Sequence, residues 1–147
     1  MHNMIKIKFT YQWIPILKEK REEYHFPERI TSFMKKNYRK PAIYRWNVFK
    51  EIPNDEKIIY VGEAQELCPQ RIKGYLNPGP SQQTNKRIKK KFQTYLDKGF
   101  KIRLEMLQFD NIKIEDFTFI KTPLAVSSLL FKAGRRPHLK FCRYEVI

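Results

Sequence analysis

Ten cationic residues crowd the stretch from Arg71 to Arg103: Arg71, Lys73, Lys86, Arg87, Lys89, Lys90, Lys91, Lys98, Lys101 and Arg103, opposed by a single acid, Asp97. Charge at that density suits a row of phosphates, because each phosphate neutralised releases condensed counterions. A charge run is ordinarily a solvated helix face, but this excess is too large for that alone. Just ahead of it stand two tyrosine tripeptides, Ala42-Ile43-Tyr44 and Tyr60-Val61-Gly62, followed by Leu67, Arg71 and Tyr75. Arg71 and Tyr75 are four apart and so share a helical face. The set is a pair of tyrosine strands followed by a basic helix, and its charge points to phosphate binding.

The remaining pattern says which elements hold these groups. Ala42 to Phe49 and Lys57 to Val61 read as strands of an antiparallel hairpin, with a polar turn at Pro53-Asn54-Asp55 and an end at Gly62. Pro69 suits the first turn of a short helix, and Asn77-Pro78-Gly79-Pro80 ends it. A longer helix follows, burying Ile88, Phe92, Tyr95 and Leu96, and Gly99 closes it. Phe100 to Leu107 alternates as a half-buried strand, with Lys101, Arg103 and Glu105 outward. Met4 to Phe9 predicts a strand, and Ile30, Phe33 and Met34 a short helix to about Tyr38. Residues 11–27 are mixed, 111–121 suggest a strand or an extended connection, and Thr122-Pro123 starts a last helix ending at Gly134. The expected fold is α+β: a small central antiparallel sheet, the tyrosine hairpin plus a third strand, flanked by helices.

Composition bounds the class. The chain has 147 residues, 30 Lys+Arg against 15 Asp+Glu, a net charge of +15 and 41% hydrophobic residues. That is enough for one compact domain with a real core. No apolar run approaches the roughly 18 residues of a membrane span, and the start lacks the apolar stretch of a signal peptide. Cys68 and Cys142 supply neither a disulfide framework nor a zinc quartet, and His2, His25 and His138 are scattered. The expectation is a reduced, cytoplasmic protein with a polyanionic partner. Gly-rich phosphate loops, zinc-protease histidine pairs and serine-nucleophile elbows are absent from the sequence.

The stretch YVGEAQELCPQRIKGYL from Tyr60 to Leu76, with Tyr44 on the preceding strand, resembles the GIY-YIG nuclease family. The block Gln82-Gln83-Thr84-Asn85-Lys86-Arg87-Ile88 is similar to one that small restriction-type members carry before their second helix. The resemblance spans about Pro41 to Lys140. It implies a nuclease domain over 41–147, with residues 1–40 as an extension whose strand and helix pack on its core. It further implies that the Tyr44 and Tyr60 hydroxyls sit with the attacking water and the phosphate. An unperturbed tyrosine has a pKa near 10, so a role as base needs a nearby cation or metal. Arg71 would grip the scissile phosphate with its planar fork, Tyr75 would fill the family's variable aromatic or histidine position, and Lys86 would add charge. Lys73, Gln82, Thr84, Asn85, Arg87, Lys89, Lys90 and Lys91 are the expected nucleic-acid contacts.

The family also holds a divalent cation, Mg²⁺ or Mn²⁺, through a glutamate near the start of its last helix. Here that position falls on Ser127 or, counted back from Pro137, on Ser128. A neutral hydroxyl is a poor ligand for a hard cation. Three explanations stay open: a nuclease fold kept for binding, a nuclease whose metal uses another acid (Glu105, Glu63 or Glu115), or a serine that silences the enzyme. The expected function is therefore a DNA endonuclease, with a non-catalytic nucleic-acid-binding module as the alternative. RNA as ligand and a homodimer are both compatible with the sequence.

Overall fold

The computed structural model describes residues 7–51 and 55–109, together with short strands at 112–114, 117–119 and 145–146. Its contacts divide the chain into two units, Ile14–Met106 and Met1–Trp13 with Leu107–Ile147. The chain passes from one to the other within β2 (Tyr11–Pro15) and within β7 (Lys101–Phe109). The fold class is α+β, as expected. No helix among the described residues is long and apolar enough to cross a membrane.

The larger unit is built on β5 (Ala42–Phe49) and β6 (Lys57–Ala64), a hairpin extended by β7 antiparallel to β5, in the sheet order β2-β7-β5-β6. The hairpin runs two residues beyond the expected end at Gly62, because Ala64 still pairs with Ala42. One sheet face carries Tyr44, Trp46 and Val48 with Ile102 and Leu104, all buried. Against it pack α2 (Ile72–Leu76), entered through a wide helical turn at Leu67–Arg71, and α3 (Gln83–Asp97), whose Ile88 and Phe92 are buried. Cys68 keeps an extended backbone, so helical geometry begins at Pro69, as the proline suggests. Trp46 lies at the centre, its ring 5.1 Å from Phe92, 5.5 Å from Tyr75 and 5.9 Å from Phe26.

The expected boundary at residue 40 is not where the contacts divide. Residues 14–40 belong with the hairpin because Ile16, Tyr24, Phe26, Met34 and Tyr38 bury into the same core as Trp46. Two short strands there, β3 (Leu17–Glu19) and β4 (Glu22–Glu23), were hidden in the mixed 11–27 region. The helix α1 (Ser32–Asn37) is shorter than its apolar spacing predicts: Thr31 caps it, accepting the Met34 N–H at 3.2 Å.

In the smaller unit β1 (Ile7–Phe9) lies between β10 (Glu145–Val146), parallel to it, and β8 (Ile112–Ile114), antiparallel, with β9 (Phe117–Phe119) beyond β8. The uncertain segment 111–121 thus contributes two strands. The turn residues Pro53 and Asn54, and the helix expected from Thr122, lie outside the described residues.

Glu105 corrects an expectation. It does sit on the sheet face opposite the tyrosines, yet it is 5% exposed. Arg45 and Arg103 both pair with its carboxylate, and Asn47 Nδ2 donates to it at 2.9 Å. Alternation along β7 makes it outward. Its cross-strand neighbours, Arg45 opposite Glu105 and Asn47 opposite Arg103, close over it.

Candidate functional site

Pairing in the hairpin sets Tyr44 opposite Gly62 and Trp46 opposite Tyr60. Tyr44, Tyr60 and Gly62 therefore share the core face, and the helical turn after β6 lays Tyr75 on them. The three tyrosine rings form a triangle, with centroids 6.3 Å apart for Tyr44–Tyr60, 6.3 Å for Tyr44–Tyr75 and 6.2 Å for Tyr60–Tyr75. Gly62 makes the triangle possible. A Cβ there would meet the Tyr44 hydroxyl oxygen at 2.7 Å and Tyr60 Cε1 at 2.8 Å.

The three hydroxyls are not equivalent. Those of Tyr44 and Tyr75 share a buried hydrogen bond of 2.7 Å, and the two residues are 1% and 0% exposed. Tyr60 is half-buried, and its hydroxyl has no hydrogen-bond partner among the described residues. Burial pushes the Tyr44 phenol up to about 12, opposed by the Tyr75 hydrogen bond and the Arg71 charge. Burial raises Tyr75 as well, with further contributions from Tyr44. At neutral pH both stay protonated, so they orient and donate rather than take a proton.

That shift has a consequence for stability. A phenol whose folded pKa exceeds its unfolded value of 10.0 is equally neutral in both states below that pH. Above it the unfolded chain loses the proton first, so stability falls as pH rises from 10.0 towards about 12. Tyr44 should account for roughly 2–3 kcal/mol of that loss. In urea unfolding across this window, Tyr44→Phe should show a correspondingly shallower decline than the parent. Parallel declines would mean that Tyr44 is not shielded.

Arg71 projects from the same turn into a cleft of about 220 Å³ lined by Gln65, Glu66, Gln70, Gly74, Gln82 and Asn85 as well as itself. The cleft lies where the start of α3 approaches α2. Gly74 permits that approach, since a Cβ on it would lie 2.9 Å from Asn85 Nδ2. Arg71 is half-buried and has no ion-pair partner among the described residues. Although Glu66 lines the same cleft, it makes no ion pair with Arg71, and a guanidinium not tied to a carboxylate keeps its planar fork for an anion.

The other expected contacts divide in two. Lys73, Thr84, Arg87, Lys90 and Lys91 are exposed on α2 and α3. Lys86 Nζ instead donates to the Pro80 carbonyl at 2.8 Å, and Lys89 Nζ to the Leu76 carbonyl at 2.7 Å, satisfying backbone acceptors of the intervening turn and the end of α2. Gln82 accepts the Gly79 N–H at 3.0 Å, and Asn85 is buried in the cleft wall. Gln65, Glu66 and Gln70 were not anticipated. The one local signal was the four-residue spacing of Gln70 and Gly74, which sets them on one helical face.

Among the described residues no group of three or more His, Cys, Asp or Glu is placed to hold a divalent cation. Glu105 is tied to two arginines, and Glu63, by alternation along β6, lies on the face away from Tyr60 and Gly62. Glu115, Ser127 and Ser128 lie outside the described residues. In comparisons with known proteins, no family model, curated protein or solved structure matches the chain.

Proposed function

We propose that this chain is a DNA endonuclease of the GIY-YIG type, hydrolysing phosphodiester bonds at Arg71 and Tyr60. The observation that carries the proposal is the Arg71 guanidinium, without an ion pair among the described residues, in an open cleft beside the tyrosine triangle. Arg71 would bind two oxygens of the scissile phosphate and offset the charge that develops there. Tyr60, with the one unengaged hydroxyl of the three, would contact the attacking water. Tyr44 and Tyr75, buried and bonded to each other, would hold the Tyr60 ring in place. The exposed cations of α3 would bind flanking phosphates.

A non-catalytic binding module is the second reading. What favours it is the sequence, in which Ser127 or Ser128 stands where the resemblance expects the metal-binding Glu. Nicking of supercoiled plasmid in Mg²⁺ or Mn²⁺, with Tyr60→Phe as control, separates the two. Nicking well above the control is expected; equal rates would leave only binding. In parallel, duplex affinity should fall steeply with salt. The triple change Arg87→Gln, Lys90→Gln, Lys91→Gln should lower the slope by up to about 0.9 for each phosphate that is no longer neutralised. Lys89 is left intact because of its backbone bond. Salt-independent affinity would argue against either nucleic-acid function.

A further inference from the structure

Beside Arg71 the cleft wall is amide-rich. Four carboxamides line it, Gln65, Gln70, Gln82 and Asn85, with one carboxylate, Glu66. Apart from the Gln82 bonds to the Gly79 N–H and, at 3.4 Å, to Asn85 Nδ2, these five side chains make no hydrogen bonds within the described residues. The donors and acceptors of Gln65, Glu66 and Gln70 are therefore available to a ligand, as are Gln82 Nε2 and Asn85 Oδ1.

A carboxamide is planar and sets a donor beside an acceptor, which matches the edge of a nucleobase better than it matches a phosphate. The Glu66 carboxylate would repel a second phosphate, whereas it can accept from an amino group. A volume of about 220 Å³ falls below the roughly 300–1,000 Å³ of sites for larger ligands and suits a single ring system.

We infer that this cleft is a nucleobase subsite, taking the base adjacent to the phosphate held by Arg71. Glu66 selects the amino-bearing bases adenine, cytosine and guanine over thymine. Thymine offers one N–H between two carbonyl oxygens, and those oxygens are repelled by a carboxylate. The inference rests on the nucleic-acid reading of Arg71 but does not require that the bond be cut.

The test is fluorescence anisotropy of the full chain with labelled single-stranded homopolymers of dA, dC and dT, in EDTA so that metal-dependent cutting is stopped. The parent should bind dC and dA about tenfold more tightly than dT. Glu66→Gln supplies an N–H for a thymine carbonyl and should bring dT to within about twofold of dC. Gln70→Ala, at an exposed position, should weaken dA and dC more than dT, with thermal unfolding confirming that both variants fold. Equal affinity of the parent for all three, or an unchanged dC/dT ratio in both variants, would overturn the base subsite and leave Arg71 as a phosphate site. No binding to any homopolymer would overturn the nucleic-acid reading along with it.

Discussion

Arg71→Ala is expected to cut plasmid nicking by about 10²–10³-fold, the usual cost of removing a donor aimed at developing charge. The guanidinium has no carboxylate partner among the described residues, so its removal strands no buried charge, and the fold should survive. Arg71→Lys should recover only part of the rate, since an ammonium keeps the charge but loses the planar fork. An independent readout follows from the electrostatics. The Arg71 charge lowers both the Tyr44 and the Tyr75 phenol, so Arg71→Ala should move the Tyr44 titration upward, with or without catalysis. If the rate is unchanged while the phenol shifts, Arg71 neighbours the tyrosines without gripping a phosphate.

Trp46→Ala should cost about 3–5 kcal/mol, as expected for deleting a fully buried tryptophan. Small domains hold only about 5–15 kcal/mol in all, so this one change should bring the chain close to unfolding. Trp46 joins its own strand to three other parts of the larger unit. Its ring contacts Tyr24 and Phe26 from the first 40 residues, Tyr75 from α2 and Phe92 from α3. Truncation would open a cavity and remove the backing of the Tyr75 ring. Trp46→Phe should cost less, partly because the buried Nε1–H has no partner among the described residues and its loss removes an unsatisfied donor. Urea unfolding measures both. A loss under about 1 kcal/mol for Trp46→Ala would mean that the ring is not the centre of this core.

Legibility followed the range of the interaction. The strand Ala42–Phe49 could be read with its final bounds because it is rich in aromatic and β-branched residues and lies between Pro41 and a polar turn. The helix Gln83–Asp97 shows its buried stripe at Ile88 and Phe92. By contrast β3 and β4 are two or three residues long and rich in charge, so no period could reveal them. Tertiary pairing alone makes them strands. Lys86 and Lys89 looked like any other cations of the basic helix. Their carbonyl partners, Pro80 and Leu76, become reachable only once the turn folds back on α3.

By itself, the sequence determined the fold class, the tyrosine hairpin and the concentration of positive charge on the segment after it. These depend on residue type and on periods of two and 3.6, which are local. Only the tertiary structure decided which tyrosine hydroxyl is open and which two are sealed, because burial depends on what packs from elsewhere. For the same reason only the fold could enclose Glu105 between arginines of two strands and leave Arg71 without an ion pair among the described residues. The cleft, too, is assembled from three separate stretches, Gln65–Glu66, Gln70–Gly74 and Gln82–Asn85. No single stretch of chain carries its chemistry.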